Sequence, residues 1–149
     1  VAGRPSTPEE YAATLAQAPQ AGRWPWVVRG ATEVVGTTSY FEVSLPDARL
    51  EIGYTAYTPS VWATEVNPEC KLLLIGWAVD HGFGRVQFKT DIRNRRSQGA
   101  IAGLGATYEG VLRRYQRRAD GTVRDTVMFS VTAEEWPGVR ERLRARLAG

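Results

Sequence analysis

Gly84–Arg85–Val86–Gln87–Phe88–Lys89–Thr90–Asp91, followed by Ile92–Arg93–Asn94–Arg95–Arg96–Ser97, Gln98–Gly99–Ala100–Ile101–Ala102–Gly103–Leu104–Gly105 and Ala106–Thr107–Tyr108–Glu109–Gly110–Val111–Leu112–Arg113–Arg114–Tyr115–Gln116–Arg117–Arg118, is the stretch that decides the fold. Val86 and Phe88 alternate with Gln87 and Lys89, the pattern of a half-buried strand. Asn94 stands where a helix N-cap is wanted. Ser97, Ile101 and Leu104 at i, i+4 and i+7 share one face of a short helix. Gly105 follows the last periodic residue and suits a helix stop in the left-handed region. From Thr107 the chain reads as strand again, so the unit is strand, short helix, strand.

Upstream, Val1–Pro8 reads as loop, and Ser6–Thr7–Pro8–Glu9–Glu10 opens a helix with a hydroxyl cap, an early proline and acidic residues at its positive end. That helix is expected to reach Gln17, with Tyr11, Leu15 and Ala18 as its apolar stripe. Trp24–Arg29, Val34–Val43 and Arg49–Tyr57 are three strands whose short connections predict an antiparallel meander. In the third, Leu50, Ile52, Tyr54 and Ala56 are assigned to one face and Glu51, Gly53, Thr55 and Tyr57 to the other. Asn67 is read as the cap of a helix running to about His81, with Pro68 in its first turn. Its leucine-rich sequence is apolar nearly all round and predicts burial on most sides. This helix makes the one parallel crossover. Downstream, Ala119–Thr122 is a hairpin turn, Val123–Thr132 a strand and Glu134–Ala148 a closing helix. The order predicts an α+β fold, with helices on a mixed, mostly antiparallel sheet, in a single domain over 1–149.

The chain has 149 residues, of which 43% are hydrophobic and 23% charged, the balance of a soluble globular domain. Leu72–Ile75 is the longest apolar run, too short to span a bilayer. A single cysteine, Cys70, forms no internal disulfide, and a cytoplasmic location with no membrane contact is expected. The formal charge is +3, carried by 17 Arg and 2 Lys. Such a surface suits a phosphate-rich ligand, an acidic protein or nucleic acid, and equally a solvated face. Arg93, Arg95 and Arg96, with Arg113, Arg114, Arg117 and Arg118 around Tyr115, carry the nucleic-acid alternative. His81 is the only histidine, with no acidic partner evident, so neither a Ser–His–Asp triad nor a zinc site with ordinary spacing is expected, and no metal is called for. Trp62–Ala63–Thr64–Glu65–Val66–Asn67 leads from a strand into a helix N-terminus, where backbone N–H groups and the dipole suit a pyrophosphate.

Asn94–Arg95–Arg96–Ser97, a helix closed by Leu104–Gly105–Ala106, and Glu109–Gly110–Val111–Leu112–Arg113 together resemble the second half of the GCN5-related N-acetyltransferase (GNAT) domain. The branch most similar is that of the ribosomal-protein acetyltransferases RimJ and RimL. Glu51–Ile52–Gly53–Tyr54, Asn67–Pro68–Glu69–Cys70–Lys71 and the stretch from Asp120–Gly121 to Glu134–Glu135–Trp136–Pro137 are also similar, so the match covers roughly residues 30–148. The resemblance implies acetyl-CoA as co-substrate, with its pyrophosphate at Tyr57 and Trp62, Ala63, Thr64, Glu65, Val66 and Asn67. Its pantetheine arm would lie in a splayed cleft between the strands over 49–57 and 84–91, beside the Asn94 carboxamide. Glu65 departs from the family's small residues there.

The same resemblance implies direct acetyl transfer to a primary amine, either a protein α-amine or a small molecule, with no covalent enzyme intermediate. Backbone N–H groups of the 49–57 strand would hold the oxyanion. Glu51, in a strand among apolar neighbours, is the expected base, because burial raises a carboxylate toward a useful pKa. Ser97 and Tyr115 are the candidates to protonate the departing thiolate. In the family a further strand and one or two helices precede the segment matching Ser6–Gln17, and they are expected to be absent here. That leaves Trp24–Arg29 as a bare sheet edge suited to a homodimer. The rival to an enzyme is a non-catalytic CoA-binding or interaction domain.

Overall fold

In the computed structural model, residues 6–149 are described; the loop expected over Val1–Pro8 falls mostly outside them. Helix α1 (Pro8–Gln17) starts at Thr7, whose hydroxyl accepts from the Glu10 N–H while Glu10 reaches back to the Ser6 N–H. This reciprocal pair satisfies two backbone donors that the helix itself cannot. A 3-10 turn (Ala18–Ala21) buries Ala18 and leads into the sheet. The strands are β1 (Trp24–Arg29), β2 (Val34–Ser44), β3 (Arg49–Tyr57), β4 (Arg85–Asp91), β5 (Thr107–Arg117) and β6 (Val123–Thr132). They lie in the order β1-β2-β3-β4-β6-β5, antiparallel except between β3 and β4. The expected meander is β1-β2-β3, and the expected crossover is helix α2 (Val66–Asp80) between β3 and β4. Helix α3 (Arg95–Gly103) leads to β5, which lies outside β6 at the sheet edge, and α4 (Trp136–Ala148) closes the chain.

One face of the sheet is apolar. Tyr40, Leu50, Ile52, Val86, Phe88, Val127, Phe129 and Val131 meet Leu74, Ile75 and Ala78 of α2, Ile101 and Leu104 of α3, and Trp136, Val139 and Leu143 of α4. Each such side chain contributes about 1.5–3 kcal/mol through its removal from water. The Ile101–Leu104 stripe read from the sequence is the buried face of α3, and Gly105 ends that helix at φ 93°. The opposite face is polar, with Ser39, Glu51, Gln87, Thr126 and Ser130 buried along it.

Three expectations need correction. Asn67 does not cap α2: Glu65 holds that place without a side-chain hydrogen bond, and Asn67 lies in the first turn. There its Oδ1 accepts from Tyr57 Oη at 3.1 Å and Lys71 Nζ at 3.1 Å. Nor is α2 covered all round. Leu73 and Trp77 are exposed, while Lys71 is buried, and burial pushes its amine down to about 8. The pattern of hydropathy misleads because a long aliphatic lysine stem packs as well as a leucine, provided that its nitrogen finds an acceptor. Lastly, the strict alternation of β3 breaks at Tyr54, which sits at φ 51° in a bulge where Tyr54 and Thr55 face Thr38 alone.

Tyr57 packs over Gly36, where an added Cβ would stand 2.5 Å from both the Ala56 carbonyl oxygen and the Tyr57 ring. Gly36→Ala is therefore expected to destabilise the fold by about 1–3 kcal/mol, read as a lower urea midpoint at unchanged slope. An unchanged midpoint would mean that β2 and β3 have room to separate there.

Candidate active site

The site starts from a failure of pairing. β3 and β4 make only three ladder pairs, Arg49↔Arg85, Leu50↔Val86 and Glu51↔Gln87, and then diverge. Past Glu51 the β4-facing edge of β3 has no ladder partner, so its backbone N–H groups are free to meet another acceptor. Glu51 sits at the fork, only 3% exposed, on the polar face. Gln87 Nε2 donates to its Oε1 at 2.8 Å and Lys89 Nζ stands 3.0 Å from the same oxygen. Burial raises the Glu51 pKa, and the hydrogen bonds from Gln87 and Lys89 offset this only in part. For Lys89, burial works against the ammonium, but its bonds to Tyr115 and Glu51 and the Glu51 charge outweigh it, and its pKa is raised.

Lys89 Nζ also donates to Tyr115 Oη at 3.1 Å. Glu51 and Tyr115, expected from the sequence to serve opposite ends of the same proton transfer, thus share one lysine. Beyond Gln87 the polar layer continues: Arg85 Nε donates to Gln87 Oε1 at 3.2 Å, and its two terminal nitrogens grip Glu109 at 2.6 and 2.7 Å. Every member has a partner, so the layer holds Glu51 in one orientation.

The polar face opens into a cavity of about 710 Å³ lined by Arg23, Glu51, Tyr54, Lys89, Tyr115 and Arg124, among others. Three lining residues owe their place to irregular backbone. Glu42 at φ 51° and Tyr54 at φ 51° sit in bulges of β2 and β3, and Tyr115 follows Arg114 at φ 48°, where the β5–β6 register slips. Bulges turn side chains off the pleat, and here they turn three into one space. Asp125 fixes the last by accepting the Arg114 N–H at 2.7 Å.

The remaining candidates lie around the helix starts at the fork. Asn94 caps α3, accepting the Ser97 N–H at 3.0 Å, and is exposed. Asp91 holds the turn before it, accepting from the Arg93 N–H at 3.0 Å while Arg118 grips its carboxylate at 2.6 and 2.9 Å. Those bonds hold the Asp91 carboxyl well below the ordinary range, Arg118 contributing most. Ser97 is half-buried on α3 and lines no part of the polar cavity. Before α2, Ala63 adopts φ 57°, and the Thr64 hydroxyl lies 3.4 Å from the Val66 N–H. Glu65 turns to Arg146 of α4 at 3.4 Å, so its carboxylate is paired away from the helix start. Trp62 Nε1 donates to the Tyr57 carbonyl at 2.9 Å, and the Arg96 guanidinium lies 4.7 Å from the Trp62 ring centre. That contact brings the start of α3 against the loop before α2. Tyr57 and Asn67 bond to one another, with the Tyr57 ring over Gly36 of β2. Free N–H groups, an arginine-stacked tryptophan and an exposed carboxamide together fit a pyrophosphate with an amide-bearing arm.

The sequence reading misses Gln87, Lys89, Tyr54 and Arg23. The alternation Arg85–Gln87–Lys89 does put those three on one face, and a parallel crossover does put them beside β3. Their register against Glu51 is a tertiary fact.

An acetyltransferase (GNAT) domain model matches residues 2–107. The chain is 31% identical over 124 residues to the uncharacterized N-acetyltransferase p20 of Bacillus licheniformis, covering 80% of this chain and 66% of that protein, so it spans just under two thirds of that relative's length. Among solved structures, an assigned acetyltransferase from T. thermophilus is 42% identical, with a TM-score of 0.87 over 99% of this chain and 80% of the other. The fold is shared with Mycobacterium smegmatis RimJ, solved in complex with CoA-disulfide, at a TM-score of 0.78 and 24% identity over 93% of this chain and 67% of that one. With a forked sheet, a polar cavity at the fork and a family model matching most of its length, the chain belongs to the GCN5-related N-acetyltransferase family.

Proposed function

We propose that the chain is an acyltransferase that moves the acetyl group of acetyl-CoA directly to a primary amine, acting as a RimJ/RimL-like cytoplasmic enzyme. One observation carries this reading: the buried Glu51 at the fork, held by Gln87 and Lys89 and facing a cavity that also receives Tyr115. The cofactor would enter from the side of the α2 and α3 starts, its pyrophosphate on the N–H groups around 63–67 and its arm beside Asn94. The amine would enter from the polar cavity.

In the reaction the amine nitrogen attacks the thioester carbonyl carbon. A C–N bond forms, the C–S bond breaks, and the free N–H groups of β3 beyond Glu51 hold the transient oxyanion. The proton lost by the amine goes to the Glu51 carboxylate, directly or through a water. The departing thiolate takes a proton from Tyr115, whose oxygen already accepts from Lys89 and whose own O–H is therefore turned elsewhere. Ser97 is the second donor in reach of the arm's end.

Transfer from labelled acetyl-CoA to a panel of amines tests the reading. Glu51→Gln is expected to lower kcat by on the order of 10²–10⁴ with little change in KM for acetyl-CoA. A variant as active as the parent would remove Glu51 from the mechanism. The working form of Glu51 is its carboxylate, and burial raises its pKa, so kcat/KM falls as pH drops through that raised value. Lys89→Met deletes the nearest cation and is expected to move this acidic limb to higher pH, whereas a shift to lower pH would contradict the assignment. Asn94→Ala is expected to weaken acetyl-CoA binding measured by calorimetry, besides costing about 0.5–2 kcal/mol as a lost helix cap. Undiminished affinity in a folded variant would leave Asn94 as a cap alone.

A further inference from the structure

The polar cavity holds more positive charge than the transfer chemistry uses. Arg23 follows the 3-10 turn at the cavity rim, and its Nε donates to Ser39 Oγ at 2.9 Å. Ser39 is wholly buried, so this anchor is fixed. The guanidinium carbon lies 4.2 Å from the centre of the Tyr54 ring, which the β3 bulge has turned to meet it and which Phe41 braces at 4.9 Å between centroids. Anchored at Nε and stacked on a ring, the group keeps its terminal nitrogens for something else, and among the described residues no carboxylate pairs with it.

Arg124 is held the same way on the far wall, its Nε donating at 3.0 Å to the Thr126 hydroxyl, which is also wholly buried. It shares the field of Asp91, whose carboxylate Arg118 already grips. Lys89 and Glu51 neutralise each other at 3.0 Å. Glu42 is the other carboxylate on the lining, and its charge acts on Glu51. The cavity therefore has an acidic end at Glu42 and Glu51 and a cationic rim at Arg23.

We infer that the amine acceptor is a small aminocarboxylate, an α-amino acid or close analogue, whose carboxylate docks on the Arg23 guanidinium while its amine faces Glu51. The spacing supports this. Ser39 pairs with Gly53, which lies two residues from Glu51 on the same face, so the two ends are roughly 7 Å apart along the strand. An α-amino acid bridging two hydrogen bonds of about 2.9 Å covers that span. A planar guanidinium stacked on an aromatic ring is suited to a carboxylate through paired N–H donors. A peptide α-amine lacks this group, because its neighbouring carboxyl is an amide. The inference rests on the transfer reading above and chooses among the amines that reading allows.

The test separates the two. N-acetylalanine and N-acetylalaninamide are titrated into the chain with coenzyme A present, and alanine and alaninamide are compared as acceptors. The N-acetyl probes carry no basic amine, so they report the carboxylate alone and need no turnover. The acid is expected to bind roughly tenfold or more tightly than the amide, as a charge-assisted pair would give. The ratio is expected to collapse toward one in Arg23→Gln and to return in part in Arg23→Lys, with Arg124→Gln showing a smaller loss. Circular dichroism checks that each variant folds. Equal binding of acid and amide by the parent chain would overturn the inference, as would a ratio that survives Arg23→Gln. Acid-selective binding without acetylation of any amine would uphold the anion site and remove the transfer reading. Alaninamide acetylated as well as alanine would uphold transfer and remove the anion site.

Discussion

The parting of β3 from β4 after three ladder pairs is the constraint on which the other features depend. A parallel pair needs a crossover, and α2 supplies it, but a continuous ladder would have sealed the sheet. By diverging, the two strands leave backbone donors without partners and open a passage between the faces of the sheet. Such groups are costly when buried without acceptors, so the opening is tolerated only where water or a ligand reaches it. The apolar face holds this arrangement in place. Residues from β3, β4 and β6 converge with α2, α3 and α4 in one core that spans the fork.

The opposite face is built on a different principle. Glu51, Gln87, Lys89, Arg85, Glu109 and Ser130 form a connected polar layer within the sheet rather than a second apolar core. A buried carboxylate alone would be forced to neutralise. Here one amide and one ammonium keep it ionisable while burial still lifts its pKa, the combination that general-base chemistry calls for. The bulges at Glu42, Tyr54 and Arg114 add backbone strain of about 1–3 kcal/mol each, which a core of this size can absorb. Each places a functional side chain on the same cavity.

The elements themselves were legible in the sequence because their signals are local. The Thr7 and Asn94 caps, the Ile101–Leu104 stripe and the Gly105 stop follow from neighbours a few residues away, and all are found. Asn67 looked equally good as a cap, yet Tyr57 and Lys71 claim its side chain, one of them from another element. Glu51 was legible as a buried carboxylate from its apolar flanks. Its partners were not, since the register of β3 against β4 is set by the packing of α2 and has no mark in either strand. The Tyr54 bulge was invisible for a related reason. A bulky residue at positive φ breaks the alternation from which the strand was read, and only pairing with β2 reveals the extra residue.

The central claim is that the fork joins a cofactor entrance beside α2 and α3 to an amine entrance on the polar face. Amide chemical shifts of the isotopically labelled chain, followed by NMR during titration with acetyl-CoA, test it most directly. The expected result is a saturable perturbation of Ile52–Tyr54, 63–67 and 94–97, with β1 and the outer surface of α2 around Leu73 and Trp77 unmoved. Perturbation confined to that outer surface, or none at saturating ligand in a folded chain, would contradict it.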